Sequence, residues 1–228
     1  MKFWLWGKHV VKSILEESKR EVYEIITVKK ELVPENIKKN IRITIVDKNK
    51  IEKLCGKNHQ GIAAFVSDVQ KCDLKNWIIA NKNSSKSIIA CDLIEDEKNL
   101  GAIMRSSMAF NITTILITKQ KRAQLGGSLA KAAAGALEKI EIIEVSNLST
   151  SLKALYNEGY DVLGLDEDGT ENWPELEKFV LVLGQEGKGL RRLTKESCNH
   201  IIRIKTNPEF GTLNVSVAAA VAMSKLKK

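Results

Sequence analysis

The sequence predicts an α/β fold in two parts: a small α/β unit at the amino end, then a parallel sheet covered by helices on both faces. Three observations predict it. The first 70 residues alternate short helix and strand patterns. From residue 87 the strands become near-continuous apolar runs separated by helical segments, and strands apolar on both sides and joined through helices belong to a buried parallel sheet. Between the two parts the pattern fades, and NKNSSKS at Asn81–Ser87 is polar enough for a linker. The expected division is 1–70, a linker over 71–86, and 87–228.

In chain order, the first part predicts a helix over Gly7–Ser18 and strands at Val22–Val28, Arg42–Val46 and Gly61–Val66. Shorter helical patterns fall near Val33–Lys39 and Asn49–Leu54. The second part predicts strands at Ser87–Ile94, Thr113–Thr118, Ile140–Val145, Tyr160–Asp166, Phe179–Gly184 and His200–Ile204. A last helix, LNVSVAAAVAMSK from Leu213, carries small apolar residues almost all round, which predicts burial against close neighbours. Thr212 stands where an N-cap belongs.

Composition excludes several classes. No stretch of 18 apolar residues exists to span a membrane, and Glu16 and Glu17 interrupt the apolar start where a secretion signal would continue. The expected location is the cytoplasm. The four cysteines, Cys55, Cys72, Cys91 and Cys198, include no CxxC pair, and the three histidines show no ligand spacing, so buried reduced thiols and no metal are expected. The formal charge is +8, and residues 1–85 hold 17 Lys/Arg against 10 Asp/Glu. Such a local excess suits a phosphate-bearing partner, although compositional drift toward lysine would produce it too.

Three segments could carry chemistry. DEKNLGAIMRSSMAF (Asp96–Phe110) follows a strand; Leu100, Ile103, Met104 and Met108 make its apolar face, leaving Gly101 and Arg105 four apart. The Arg105 guanidinium is expected to lie over bare Gly101 and toward Asn99. A capped helix with a surface arginine would read the same way. LVLGQEGKGL (Leu181–Leu190) ends a buried strand in three glycines, which let backbone approach a ligand or simply turn. It is neither the dinucleotide fingerprint nor a P-loop. IKTNPEFGTLNVSVA (Ile204–Ala218) places Asn214 and Ser216 in a helix expected to be buried, where they satisfy a loop or face a ligand. All three lie at carboxyl ends of strands, where open parallel sheets bind ligands.

Together, NLGAIMR, LVLGQEGKGL and LNVSVAAAVA resemble the three signature motifs of the SpoU family of RNA 2'-O-ribose methyltransferases, within the SPOUT superfamily. The resemblance spans essentially the whole chain. GKHVV at Gly7 and NHQGIAA at Asn58 resemble the L30e-like substrate-binding domain of members that modify 23S rRNA guanosines, and RRLTKESC supports that subgroup. The resemblance implies a C-terminal SPOUT domain threaded as a trefoil knot, a homodimer, S-adenosylmethionine as methyl donor and ribosomal RNA as substrate, with no DNA partner.

It further implies that Gly184, Ile204 and Leu213, with Leu183, Gly189 and Thr212, contact the cofactor, and that Asn99, Arg105, Glu186 and Asn214 surround the transferred methyl. The chain departs from the family where Lys205 and Thr206 replace proline and methionine, and where Thr212 replaces serine. These changes soften the cofactor loop but remove no reacting group, so activity is expected. A tRNA ribose methyltransferase and a catalytically silent RNA-binding assembly factor are the alternatives.

Overall fold

The computed structural model describes residues 2–17, 19–34, 41–120, 123–207, 209, 211 and 213–226. The amino-terminal unit is a four-stranded mixed sheet of β1 (Lys2–Trp6), β2 (Val22–Thr27), β3 (Arg42–Ile45) and β4 (Ile62–Ser67), in the order β1-β4-β2-β3. β4 runs antiparallel to β1 and β2, and β3 runs parallel to β2. Helix α1 (Lys8–Glu17) buries Val10, Val11 and Ile14 with Leu5, Ala64 and Val66 on one face. On the other, α2 (Lys48–Cys55) packs Ile51 and Cys55 on Ile26 and Ala63. Strand β1 was not anticipated, because a five-residue segment of mostly large apolar side chains shows no clear period. The helical pattern near Val33–Lys39 shows only a 3-10 turn at Lys30–Leu32 before residues 35–40, which lie outside the described residues.

The second sheet comprises β5 (Ile88–Cys91), β6 (Thr114–Thr118), β7 (Glu141–Val145), β8 (Asp161–Thr170), β9 (Phe179–Leu183) and β10 (His200–Ile202). Its order is β10-β8-β9-β5-β6-β7, and every neighbouring pair is parallel. Cover on both sides explains why β5, β6 and β9 are buried at every position. One face packs on α4 (Glu97–Ala109), α5 (Gly127–Ala133), α6 (Ala136–Lys139) and α9 (Val215–Leu226). The other packs on α3 (Leu74–Ala80) and α7 (Leu148–Asn157) through Trp77, Leu148, Leu152 and Leu155.

Two expectations change. The segment 71–86, read as linker, contains α3, capped by Asp73 accepting the Asn76 N–H at 3.0 Å. The Trp77 indole is 4% exposed and donates to Glu141 at 3.0 Å, and Cys72 bridges to Ile143, so this stretch covers the second sheet. The first unit was expected to stand as a compact unit of its own. Instead one apolar cluster runs from Leu5, Val11 and Ile25 through Leu129, Ala133 and Leu137 into the second sheet. The Trp6 ring fills the space a Cβ on Gly127 would need, and Ser13 Oγ donates to the Gly135 carbonyl at 3.0 Å. Arg20 meets Glu138 at 2.7 Å with both side chains at most 2% exposed.

Helix α9 also differs from expectation. Ala219, Ala222 and Met223 are buried, yet Val217 is 49% exposed, so the helix is not buried all round. Small residues all round gave no way to tell which side the core would claim.

Candidate active site

Because all six strands of the second sheet are parallel, the segments after β5, β9 and β10 emerge at one edge. After β5 the chain enters α4, whose N-cap Asp96 accepts the Asn99 N–H at 2.8 Å. That cap fixes Asn99 in the first turn. The Asn99 amide donates to Glu186 Oε1, and its oxygen accepts from Asn214 Nδ2 at 3.1 Å. Asn214 Oδ1 in turn accepts the Ser216 N–H at 2.9 Å and the Ser216 hydroxyl at 2.6 Å. One hydrogen-bonded chain therefore ties all three sequence motifs together across separations of 87 and 115 residues.

The Ser216 bond also makes Asn214 the N-cap of α9. The cap expected at Thr212 lies outside the described residues. The choice between satisfying a loop and facing a ligand resolves into a bridge: Asn214 caps its own helix with its oxygen and reaches Asn99 with its nitrogen.

The loop after β9 closes on itself. Gln185 N donates to the Gly189 carbonyl at 3.0 Å, and Gly189 N returns a bond at 2.9 Å. A Cβ on Gly184 would lie 2.3 Å from the Gly189 carbonyl carbon, so only glycine admits this fold-back. Gly187 and Gly189 take φ of +70° and +64°. The result projects Glu186 outward toward Asn99. Leu183, at 1% exposure, is a core residue whose carbonyl accepts the Asp92 N–H at 2.8 Å. Ile204 is half-buried beyond β10 and Leu213 is 39% exposed ahead of α9.

Two carboxylates that the sequence reading passed over hold the far end of this loop. Asp92, whose side chain is fully buried after β5, accepts from Arg191 Nε at 2.8 Å and pairs with its Nη2 at 2.5 Å. Asp166 on β8 accepts the Leu190 N–H at 3.3 Å and pairs with Lys195 at 2.8 Å. Burial pushes the Asp166 carboxyl up, but hydrogen bonds from Lys195 and from the Asp168 and Leu190 N–H groups outweigh it and hold it below its usual value. A polar residue ending an apolar strand, as in IIACD and VLGLD, was the available signal for both.

Arg105 stands apart. The bare face of Gly101 does not seat it: a Cβ there would lie 2.6 Å from the Leu129 carbonyl oxygen and 2.7 Å from the Ala132 side chain, because α5 packs against it. Arg105 is exposed, and among the described residues it has no hydrogen bond or ion pair. The cysteines are protonated; burial pushes Cys91 and Cys198 up to about 12, with the Asp92 charge adding to both. Among the described residues no group of three or more His, Cys, Asp and Glu could hold a metal ion.

Residues 86–224 match the SpoU rRNA Methylase family. The chain belongs to that SpoU family. Its activity by class is S-adenosylmethionine-dependent RNA 2'-O-ribose methylation. Residues 4–72 match the substrate-binding domain of RNA 2'-O-ribose methyltransferases. A protein of Staphylococcus saprophyticus assigned to the TrmH family of tRNA/rRNA methyltransferases is 31% identical over 95% of this chain and 92% of its own length. RlmB of a Burkholderia species, a 23S rRNA (guanosine-2'-O-)-methyltransferase, is 32% identical over 81% of this chain and 76% of its own. The SpoU fold recurs in the methyltransferase AviRb of Streptomyces viridochromogenes, solved with AdoMet, at a TM-score of 0.80 and 14% identity, covering 98% of this chain and 88% of that one.

Proposed function

We propose that this SpoU protein methylates the 2'-hydroxyl of a guanosine in 23S ribosomal RNA, acting as a homodimer in the cytoplasm. The observation that carries the reaction is the Glu186–Asn99–Asn214 chain, which joins three distant motifs at one sheet edge. The choice of ribosomal RNA rests on the basic amino-terminal unit and on the relative from Burkholderia. In this reading residues 1–70 hold RNA, 87–228 carry the transfer, and 71–86 join them. The dimer would use the uncovered side of α9 at Val217. The return of the chain after β10 to lay α9 against α4 is compatible with the trefoil knot of the family.

The residues present fit the methyl donor. Gly189 is partly exposed on the loop with Gly184 packed directly behind it, while partly exposed Ile204 and Leu213 offer apolar surface to a nucleoside face; Leu183 supports the loop from beneath. Thr212, outside the described residues, is the remaining cofactor contact that the family resemblance implies. When bound, S-adenosylmethionine supplies an electrophilic methyl on a sulfonium. The chain itself positions the ribose hydroxyl and disposes of one proton. Asn99, restrained on both sides, orients that hydroxyl, and Glu186 braces the pocket wall. Arg105 acts as a delocalised planar cation with several donors. It binds the phosphate beside the ribose and stabilises the forming alkoxide, while that phosphate takes the proton.

The test is transfer of labelled methyl to unmodified 23S ribosomal RNA and to bulk tRNA, followed by mapping of alkali-resistant linkages. A 2'-O-methylguanosine in 23S RNA is expected. Label confined to tRNA would overturn the substrate, and absence of S-adenosylmethionine binding would favour a silent RNA-binding factor.

A further inference from the structure

The amino-terminal sheet leaves part of one face bare. Strand alternation puts Lys2, Trp4 and Trp6 on the same side of β1, where Trp6 pairs with Ala63 and Trp4 with Phe65. Helix α2 is eight residues long and covers the Ala63 and Ile26 end of that face. Beyond it, Trp4, Phe65 and Tyr23 remain half-exposed. The Trp4 and Phe65 ring centroids lie 5.1 Å apart at 37° and those of Tyr23 and Phe65 lie 6.0 Å apart at 56°, so the three rings form one cluster of mutually tilted planes. The Lys2 ammonium lies over the Tyr23 ring, 3.8 Å from its centroid, so that ring face opens to a base only when Lys2 swings away to a phosphate. At the other side, Arg42 is 77% exposed and only loosely paired with Glu24 at 3.8 Å.

Three aromatic rings grouped on a sheet face and left in contact with water mark a binding surface. Its chemistry selects the occupant. Glu21 accepts the Tyr23 hydroxyl at 2.5 Å, and Glu24 lies on the same face, so this is no simple phosphate cradle. Flat π surfaces between two cations suit unstacked bases, whose faces stack on aromatic rings while flanking phosphates reach the cations. The net excess of basic residues in the first 85 positions favours such a polyanion.

We propose that Trp4, Tyr23 and Phe65 form a stacking platform for unpaired bases of the RNA substrate, with Lys2 and Arg42 serving the adjoining phosphates. The proposal rests on the reading that the substrate is RNA, and its ligand is a single-stranded or loop segment. The platform is a binding element on the substrate unit, separate from the residues that surround the reacting methyl.

The test measures binding of a fluorescent uridine-rich oligonucleotide and of an RNA duplex of equal length. It uses the full-length protein and the variants Trp4→Leu and Tyr23→Leu/Phe65→Leu, which keep apolar cover but remove π faces. S-adenosylmethionine affinity serves as the folding control, and Trp4→Phe as the conservative rescue. Single-strand affinity should fall roughly 5- to 150-fold, the fold-change that corresponds to ~1–3 kcal/mol per stacked base. Trp4→Phe should restore most of it. With RNA as methyl acceptor, the KM for RNA should rise while kcat at saturation holds.

Unchanged single-strand affinity in variants that still bind S-adenosylmethionine would overturn the platform. An equal loss for the duplex would overturn it as well. Platform-dependent oligonucleotide binding by a wild-type protein that methylates no RNA would leave the platform standing and overturn the substrate reading instead.

Discussion

At the residue scale, the candidate site is a division between groups held rigidly and one group left free. Asn99 is restrained at its backbone by Asp96 and at its side chain by Glu186 and Asn214. Arg105 has no such restraint, which suits a cation that engages a phosphate only when RNA arrives. Arg105→Ala should therefore abolish methyl transfer while S-adenosylmethionine affinity and the oligomeric state stay as in wild type; single-turnover assays and calorimetry check this, and retained turnover would sink the assignment. Asp166 gives a pH prediction. Its folded-state value is lowered, so its contribution to stability is present above the unfolded value, about 3.9, and is lost as pH falls through the depressed folded value. The wild type should lose loop order on acidification below about pH 4, whereas Asp166→Asn should be weaker at neutral pH and should lack that component. Susceptibility of the loop to pepsin, measured at the acidic pH itself, would read it. Asn99, Arg105 and Asn214 stood out in the segments that follow strands and Glu186 through the family resemblance, but the bonds that join Asn99 to Glu186 and Asn214 were not legible, because no local pattern reports a contact across 87 or 115 positions.

At the scale of elements, glycines decide how closely helices and loops approach. Gly101 was read as a seat for Arg105 and proves to be the point where α4 meets the α5 backbone. Gly101→Ala must push the helices apart or tilt α4, which carries Asn99 with it. A loss of about 1–3 kcal/mol in denaturant stability is expected, together with weaker transfer; an alanine variant of unchanged stability would show that α5 yields freely. Most elements were foreseen within a few residues, since apolar runs and helical spacing are local properties. Helix α3 was not, because its polar flanks resemble a linker and its one anchoring side chain, Trp77, gains meaning only from Glu141 and the sheet beneath.

At the scale of the whole molecule, the two parts act as one packed body. Arg20 and Glu138 meet at the boundary with their side chains at most 2% exposed, and Arg20 Nη2 and Glu138 Oε1 lack hydrogen-bond partners among the described residues. Replacing Arg20 alone by methionine should cost about 3–5 kcal/mol, because it strands a buried carboxylate. Arg20→Met with Glu138→Leu should recover most of that loss, as apolar pairs avoid the desolvation cost; chemical denaturation of the four proteins of this cycle would measure it. A double variant as unstable as the single would show that the pair holds the two parts together by more than charge balance. By itself the sequence determined the α/β class, the parallel sheet, the order of its strands along the chain and the motifs that place the protein in the SpoU family, since periodicity, strand-end glycines and motif spacing are written in consecutive residues. Only the tertiary structure decided that the first unit shares its core with the second, that α9 leaves Val217 exposed, that Asp92 and Asp166 hold the glycine loop, and that α5 rather than Arg105 packs on Gly101. Each of those depends on which surfaces meet, and close packing of distant segments settles that where local pattern is silent.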